Sequence, residues 1–412
     1  HTYKSLPTRR GAALVRRGRG HRPIDAVAAT QAHTTTMGEM ISSLTGGEAN
    51  YAIIGCGVEG RGMGWYHALQ LLNGEIPRAR LSDVVEPFFL GAGKDLPPGK
   101  AFAEMAAKWK AKGVQFHASV DSGSLFSGAT SGTKIALIAG RTCDNPSFFR
   151  QAIKAGATHI LLEKPGAPTV GELEAMAREA KAAKVPVYMG FIKNISGYVE
   201  GALAAANGAA GAESVETKLV SRNDYTEATL QECFERNAEG MLKNMAIHEI
   251  ALACQFWGMR ADNVTDVICN AKGGKDSPGC DMRTLGGKTD FASVDVTLVN
   301  SSGTKVRISA DRCSGDGCCA TVTDTSNGVV LYSQEMVGGE RAKKVAAEAA
   351  AHPDWFSYLY TQAEEYAKLK GVCASHALAG TTPPGVATIE IACEALKLAE
   401  WLTPELQKKL KK

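Results

Sequence analysis

Three closely spaced glycines constrain the fold of this chain more than any other feature of its sequence. Gly55, Gly57 and Gly60 lie in the stretch GCGVEG, between an apolar run that favours a strand and a segment that favours a helix. Glycine allows a tight turn, lets a pyrophosphate approach the backbone, and leaves the N–H groups of a helix N-terminus free to bind it. The turn, with Val58 and Glu59 inside it, is therefore a candidate dinucleotide site. A glycine turn without this function is the alternative.

Strands and helices alternate after this turn, which indicates a parallel sheet covered on both faces. The last apolar run of this kind is VPVYMGF. After about Gly197 the strands are longer and polar residues alternate with apolar ones, as in FASVDVTLVNS. Such alternation is typical of an antiparallel sheet with one face on a core. The predicted fold class is α/β, with a doubly wound parallel sheet followed by an α+β domain and closing helices.

The beginning of the chain differs in composition from the rest. Residues 1–36 contain seven Lys plus Arg and one acidic residue, Asp25, and are rich in Ser, Thr and Ala. This composition is typical of organellar transit peptides, so residues 1–48 are predicted to be a disordered or transit-like leader. We assign residues 49–195 to a dinucleotide-binding domain and residues 196–412 to a substrate-binding domain, whose last helices could pack back on the first domain.

Composition also argues against several classes of protein. Without residues 1–36 the chain is slightly acidic, so a nucleic-acid-binding surface is not expected. No run of about 18 uncharged apolar residues occurs, so a soluble protein without a membrane span is expected. The eleven cysteines are scattered without a CxxC pair, which argues against a metal site and for an intracellular compartment. That compartment is the cytoplasm, or a mitochondrion or plastid if the leader is a transit peptide.

Further candidate cofactor residues lie where predicted strands end. Glu86 ends the second strand, where it would accept hydrogen bonds from a ribose 2′-OH and repel a 2′-phosphate. This position favours NAD over NADP. Arg61 or Lys94 could accommodate a phosphate, so NADP remains an alternative. Ala139 and Gly140 end the buried strand KIALIAG and complete this part of the predicted set.

A lysine follows the strand in HILLEKP. Lys164 would lie at the carboxyl edge of the sheet, where open α/β folds bind their ligands. There it could hydrogen-bond a substrate hydroxyl or carbonyl and steady the charge that develops on it. An exposed loop lysine paired with Glu163 is the alternative.

A histidine interrupts an apolar segment later in the chain. Residues 244–258, NMAIHEIALACQFWG, predict one apolar helix on which Asn244, His248 and Gln255 form a narrow polar stripe. A histidine in a buried helix is more often hydrogen-bonded core than catalyst. Whether this stripe faces the core or a site must therefore be inferred from other residues.

Taken in order, three motifs resemble the Gfo/Idh/MocA oxidoreductases, which include glucose-fructose oxidoreductase and inositol dehydrogenase. The motifs are GCGVEG, the EKP tripeptide at residues 163–165, and the helix with His248 ahead of Trp257 and Gly258. The resemblance covers roughly residues 50–400, including the tail TTPPGVATIEIACEAL. It implies an N-terminal Rossmann domain and a C-terminal domain with a large, mostly antiparallel open sheet. It also implies a homo-oligomer, a dimer or tetramer formed through that sheet, and hydride transfer between nicotinamide and a sugar, polyol or related substrate.

The resemblance assigns roles to residues of this sequence. The family's lysine maps to Lys164 and its catalytic histidine to His248, which would exchange a proton with the substrate hydroxyl while Lys164 stabilises the alkoxide. Glu163 and Lys164 would also contact the cofactor. Asn244 stands where the family usually has an aspartate, so it could bind substrate or orient His248 but could not act as a base. This departure keeps a non-catalytic, dinucleotide-binding regulator or scaffold as the alternative function.

The remaining substrate candidates follow the last strand of the first domain or lie in the second. Relatives often carry a basic residue within the stretch FIKNISGYVE, where Lys193 is the best match and Asn194 and Tyr198 are neighbours. Arg222 ends a strand of the second domain and could reach the same cleft, as could Asn223. A structural role is equally compatible with each of these residues.

Overall fold

Six parallel strands form the first sheet of the structure, a computed structural model that describes residues 47–209, 211–237 and 239–411. Their spatial order is β3-β2-β1-β4-β5-β6, the order of the dinucleotide-binding doubly wound fold. The predicted fold class is confirmed. The strands are β1 (Ala49–Ile54), β2 (Ala79–Val85), β3 (Gln115–His117), β4 (Lys134–Ile138), β5 (His159–Leu162) and β6 (Val187–Met189).

Helices cover both faces of this sheet because its central strands are apolar on both sides. In β1, Ala52 and Ile54 enter one core while Tyr51 and Ile53 enter the other. Successive side chains of a strand point to opposite faces, so a continuous apolar run needs a cover on each side. The helices between the strands are α1 (Met63–Leu72), α2 (Pro97–Lys110), α3 (Asn145–Lys154) and α4 (Val170–Ala183).

A second sheet contains seven strands in the order β13-β12-β7-β11-β10-β8, with β9 paired to β10. All its pairs are antiparallel except β11 with β7. The strands are β7 (Val215–Asp224), β8 (Val264–Cys269), β9 (Asp281–Leu285), β10 (Lys288–Asn300), β11 (Lys305–Asp311), β12 (Cys313–Asp324) and β13 (Val330–Glu335). The sequence did not predict β9 or β12, because β9 is short and polar and β12 begins with the glycine-rich stretch CSGDG.

The predicted single helix over residues 244–258 is wrong, because two helices meet there. The first ends at Asn244 and the second begins at Ile247. In a continuous helix the carbonyl of residue 244 would accept the N–H of residue 248. Here the Asn244 carbonyl accepts a hydrogen bond from Lys164 Nζ at 2.9 Å instead. The helices from residue 197 onward are α5 (Gly197–Asn207), α6 (Leu230–Arg236), α7 (Met241–Asn244), α8 (Ile247–Phe256), α9 (Gly339–Ala351), α10 (Ser357–Thr361), α11 (Ala363–Ala379) and α12 (Ile389–Leu410).

The C-terminal helices pack against the first sheet. Leu369 and Cys373 of α11 lie in the same core as Tyr51 of β1, and Tyr51 Oη donates to the carbonyl of Lys370 at 2.7 Å. Residues Gly47–Lys412 form one compact unit, so the boundary at residue 195 stays a prediction. Of the predicted leader, residues 1–46 lie outside the described residues. None of the helices described is both long and apolar enough to cross a membrane.

Candidate active site

The glycine turn has the conformation that its sequence requires. Gly55, Gly57 and Gly60 have φ values of 84°, 74° and 71°, in the left-handed region that other residues rarely adopt. A Cβ atom on Gly55 would lie 2.7 Å from the backbone N of Gly140. The ends of β1 and β4 therefore approach too closely for any side chain at residue 55, and Ala139 and Gly140 lie beside the turn as predicted.

Glu86 faces the same turn. Its Oε2 accepts the N–H of Gly57 at 2.8 Å, and its Oε1 accepts the N–H of Phe88 at 3.1 Å. Among the described residues, the N–H groups of Val58 and Glu59 have no hydrogen-bond partner. Free N–H groups suit a pyrophosphate, and a carboxylate at the end of β2 suits a ribose. The residues present thus fit a nicotinamide dinucleotide.

A cavity of about 530 Å³ lies at the carboxyl edge of β5, where Lys164 follows the strand. Six predicted residues line it together, namely Glu163, Lys164, Lys193, Asn223, Asn244 and His248. The structure thus brings the EKP motif and the histidine helix to one site, although 84 positions separate Lys164 from His248 in the sequence. A separate cavity of about 750 Å³ lies along residues 269–283 and contains none of these residues.

Lys164 lines the cavity from a half-buried position. Burial lowers the pKa of its ammonium, the nearby charge of Lys193 lowers it further, and the carboxylate of Glu163 opposes the shift. The hydrogen bond to the Asn244 carbonyl directs the ammonium toward the junction of α7 and α8. A partly desolvated cation held in this way can interact strongly with a developing negative charge.

His248 is held as a neutral imidazole. Burial lowers its pKa well below the ordinary value, and the charges of Lys164 and Lys193 lower it further. Its Nδ1 is enclosed and has no hydrogen-bond partner among the described residues. The ring of Phe191 meets the imidazole edge-on, with 5.8 Å between ring centroids. A neutral histidine is ready to accept a proton, but nothing here stabilises the imidazolium that would result.

Lys193 lines the cavity and forms a buried ion pair with Glu249. Its Nζ lies 2.5 Å from Glu249 Oε1 and 3.1 Å from Ser221 Oγ, and the lysine is 2% exposed. Burial opposes the charge, but the Cys318 thiol and the Glu249 carboxylate raise the pKa of Lys193 overall. Glu249 follows His248 directly, so the pair ties α8 to the end of the first sheet. No pattern in the sequence predicts Glu249 as the partner of Lys193.

Two of the predicted substrate residues do not face the cavity. Asn194 Nδ2 donates to Gln255 Oε1 at 2.7 Å, and Gln255 Nε2 donates to the Gly385 carbonyl at 3.0 Å. This pair connects α8 to the chain ahead of α12, so Gln255 departs from the predicted stripe. Tyr198 is buried, and its carbonyl accepts the hydroxyl of Tyr332 at 3.0 Å.

Arg222 also lies outside the cavity. Ser221 and Asn223 line it, and alternation along β7 turns Arg222 to the opposite face of the sheet. There its guanidinium pairs with Asp276 and lies 3.4 Å from Glu335. Of the two predicted residues, Arg222 and Asn223, only Asn223 lines the cavity.

The cavity contains an acidic residue that the sequence did not single out. Asp316 lies in a bulge of β12, where residues 313–317 face only residues 222–224 of β7. Bulges redirect side chains next to functional sites. Asp316 Oδ2 accepts the Thr361 hydroxyl at 3.2 Å. Burial raises the pKa of Asp316, and the neighbouring charge of Asp224 adds to the shift. The glycines on either side of Asp316, in the stretch SGDG, are the sequence feature that could have indicated this bulge.

An aromatic segment, residues 355–358, joins the cavity to the glycine turn. The N–H of Phe356 donates to the Gly60 carbonyl at 3.0 Å, and Tyr358 Oη donates to the Arg61 carbonyl at 3.1 Å. A Cβ on Gly60 would lie 2.5 Å from Trp355 Cδ1, so only glycine leaves room for the indole. Trp355, Phe356 and Tyr358 all line the cavity. Sequence periodicity cannot reveal such a contact between distant segments.

The comparisons with known proteins agree with this geometry. A family model described as the oxidoreductase family with an NAD-binding Rossmann fold, GFO_IDH_MocA, matches residues 98–191. No curated protein matches the chain.

Solved structures share the architecture over nearly their whole length. A putative myo-inositol dehydrogenase from Sinorhizobium meliloti is 18% identical, with a TM-score of 0.60 and coverage of 88% of this chain and 98% of its own. A scyllo-inositol dehydrogenase from Lactobacillus casei, with bound NAD(H) and scyllo-inositol, is 14% identical, with a TM-score of 0.62 and coverage of 88% and 98%. A probable dehydrogenase from Thermotoga maritima is 17% identical, with a TM-score of 0.61 and coverage of 87% and 97%. At these identities the likeness shows a common fold.

Proposed function

Since the chain has the fold of the Gfo/Idh/MocA oxidoreductases and matches their NAD-binding family model, we propose that it is an NAD-dependent dehydrogenase acting on CH–OH groups. Its substrate would be a sugar, a polyol or a related carbonyl compound, as for the scyllo-inositol dehydrogenase that shares the fold. The meeting of Lys164, Asn244 and His248 in one cavity carries the proposal.

Each residue of the cavity then has a chemical task. Bound nicotinamide supplies the acceptor or donor of hydride. The neutral His248 takes the proton of the substrate hydroxyl during oxidation and returns it during reduction. The ammonium of Lys164 hydrogen-bonds the same oxygen and stabilises the charge that develops on it. The side-chain amide of Asn244 can bind a second hydroxyl, while the backbone carbonyl of Asn244 accepts from Lys164.

Glu86 tests the cofactor side of the proposal. We expect NADH to bind more tightly than NADPH, and Glu86→Ala to reduce that preference about tenfold, because the carboxylate repels a 2′-phosphate and binds a ribose hydroxyl. Fluorescence titration with both nucleotides measures it. Glu104→Ala, exposed on α2 of the same domain, is the matched control and should keep the wild-type preference. Failure of the wild type to bind either nucleotide would contradict the proposed function.

A regulator or scaffold that binds the dinucleotide without chemistry is the second candidate. The uncharged Asn244 and the unpartnered Nδ1 of His248 favour it, because neither stabilises an imidazolium. Nicotinamide absorbance separates the two functions in a panel of inositols, sugars and other polyols. A dehydrogenase changes the absorbance with at least one substrate, whereas a regulator binds NADH and leaves it constant throughout.

We also propose a homo-oligomer, dimer or tetramer, formed through the second sheet. Its edge strand β13 exposes Val330 and Leu331, and the adjacent Val329 is exposed as well, each by about half of its surface. An exposed apolar edge strand is a template for pairing with another chain. We expect Val330→Lys to lower the mass measured by light scattering toward that of one chain. A wild-type protein that is already monomeric would contradict this.

A further inference from the structure

A line of buried polar side chains leads from the cavity into the core beneath the first sheet. Glu163 Oε1 lies 3.1 Å from His67 Nε2, and His67 Nδ1 lies 3.0 Å from Lys370 Nζ. His67 and Lys370 are 1% and 0% exposed. Neither side chain reaches the cavity, and the mechanism above uses neither. A fully buried lysine is costly, so its partners need an explanation.

The hydrogen bonds of Lys370 fix the proton of His67. Lys370 Nζ also donates to Gln70 Oε1 at 2.7 Å and to the Tyr366 carbonyl at 2.9 Å. An ammonium has three N–H groups and no acceptor, so His67 Nδ1 must accept the third. Burial lowers the pKa of His67 to about 4, and the charge of Lys370 adds to the shift, so the imidazole is neutral and has one N–H. That N–H is on Nε2 and donates to Glu163 Oε1.

The carboxylate of Glu163 is thereby held in one position. A Cβ on Gly190 would lie 2.6 Å from Glu163 Oε1, so glycine at residue 190 leaves the space that the carboxylate occupies. Glu163 is 13% exposed and lines the cavity beside Lys164. Of its two oxygens, Oε1 is engaged by His67, which leaves Oε2 for a ligand.

The position of Glu163 in the sheet indicates which half of a dinucleotide it would meet. Glu86 follows β2 and Glu163 follows β5, which are separated by β1 and β4. Three strand spacings correspond to about 14 Å. A dinucleotide crosses the sheet at the switch point between β1 and β4, with its adenosine on the Glu86 side. The nicotinamide half then lies on the side of Glu163, Lys164 and His248.

We propose that His67 and Lys370 are positioning residues for the cofactor. Lys370 keeps the His67 proton on Nε2, and this proton holds the Glu163 carboxylate so that it accepts a hydrogen bond from the carboxamide N–H of the nicotinamide. The inference rests on the proposed NAD-dependent function. It adds a role for two residues that touch neither substrate nor cofactor.

Binding of NADH and of ADP-ribose by the full-length protein tests this role. ADP-ribose keeps the pyrophosphate and both riboses but lacks the nicotinamide, so only NADH can report a contact to the carboxamide. We expect Lys370→Met to weaken NADH binding about tenfold, as expected for a lost hydrogen bond to a charged group, and to leave ADP-ribose binding within about twofold. Glu163→Gln should give the same selective loss. Lys368→Met, on the exposed side of the same helix, is the matched control and should change neither.

Two results would overturn the inference. One is an equal loss of affinity for both ligands in a Lys370→Met protein whose thermal unfolding shows that it is folded, because Lys370 then does not act on the nicotinamide side alone. The other is unchanged NADH binding in Glu163→Gln. Because Glu163 lies at the cavity surface, this variant tests the inference even if Lys370→Met does not fold. Lys370→Gln retains a donor toward His67 and should restore part of the affinity. Absence of NADH binding by the wild type would instead reject the proposed function and this inference together.

The pH dependence of the same titration gives a readout that a purely structural role would not change. Burial lowers the pKa of Lys370 to about 7, although the carboxylates of Glu75 and Glu163 and the Cys373 thiol oppose the shift. Above that pH the amine has two N–H groups, so it no longer forces His67 Nδ1 to accept. The groups that face Lys370 are His67, Gln70, Glu75, Glu163, Tyr51, Tyr366 and Cys373.

We therefore expect the affinity for NADH, relative to ADP-ribose, to fall as the pH rises through about 7 in the wild type. In Lys370→Met the ratio of the two affinities should not change over this interval. A wild-type ratio that is constant across pH 7, or one that changes equally in the variant, would contradict the positioning role.

Discussion

Replacement of Lys164 by methionine should lower kcat about a hundredfold or more while leaving NADH affinity within a few-fold of the wild type. Removing one preorganised donor from a developing oxyanion has an effect of this size. The ammonium lies at the cavity, where its hydrogen bond to the Asn244 carbonyl directs it toward the junction of α7 and α8 rather than toward solvent. Methionine keeps much of the side-chain length and removes the charge. Steady-state kinetics with the best substrate of the polyol panel measures the change.

The control for this variant is Lys154→Met, an exposed lysine of α3 on the same domain. Its kcat and thermal stability should equal those of the wild type. Because Lys164 also binds the Asn244 carbonyl, thermal unfolding of the Lys164 variant must be measured beside its kinetics. A folded Lys164→Met protein with unchanged kcat would reject the assignment of Lys164 to oxyanion stabilisation.

Removal of His248 should have the other large effect. His248→Ala is expected to lower kcat about a thousandfold, within the range found for loss of a general base. NADH binding should largely persist, because His248 lines the cavity and lies away from the glycine turn and Glu86, which would hold most of the dinucleotide. His376→Ala is a suitable control, since His376 bonds Thr381 at the far end of α11. Turnover that survives both His248→Ala and Lys164→Met would remove the basis of the proposed site.

The dependence of kcat/KM on pH reports the protonation state of His248 more directly. Its lowered pKa means that the neutral base predominates at and below pH 6.5, so kcat/KM for oxidation should not decline until the pH is well below this value. Asn244→Asp adds a carboxylate near the imidazole, which favours the imidazolium and raises the pKa. The acid limb of the oxidation profile should then move to higher pH, and reduction should improve near neutrality. An unmoved acid limb would contradict the assignment of His248 as the base.

Local patterns predicted the first sheet and the centre of the site. The run from Ala49 to Ile54, the glycine turn and Glu86 lie within one strand–helix–strand unit, so their arrangement follows from nearby sequence. Lys164 is likewise fixed by its place after β5. The carboxyl ends of parallel strands share one edge, so position in the chain is enough to place such residues.

Residues of the second sheet were harder to place because their orientation depends on strand register. A shift of one residue reverses the face on which a side chain lies, so the sequence could not decide which of Arg222 and Asn223 faces the cleft. The break between α7 and α8 has no glycine or proline to mark it. It depends on Lys164, which binds the Asn244 carbonyl from another part of the chain.

The partners of buried polar side chains could not be predicted from the sequence, for a related reason. His67 and Lys370 lie 303 positions apart, and each occurs in a helix whose spacing gives no hint of the other. Glu249 follows the predicted catalytic histidine, yet its pairing with Lys193 requires the helix to dock against the end of the first sheet. Such contacts are properties of packing between elements, which periodicity within one element does not contain.

The aromatic segment, residues 355–358, connects the glycine turn to the wall of the cavity, so a displacement of one moves the other. Phe356 and Tyr358 are hydrogen-bonded to the carbonyls of Gly60 and Arg61, and both side chains line the cavity that contains His248. A ligand that displaces the turn therefore displaces the surface met by a second ligand. Linkage requires that each ligand change the affinity for the other by the same factor. The affinities for cofactor and substrate would thus be coupled through this segment, whichever of the two binds first.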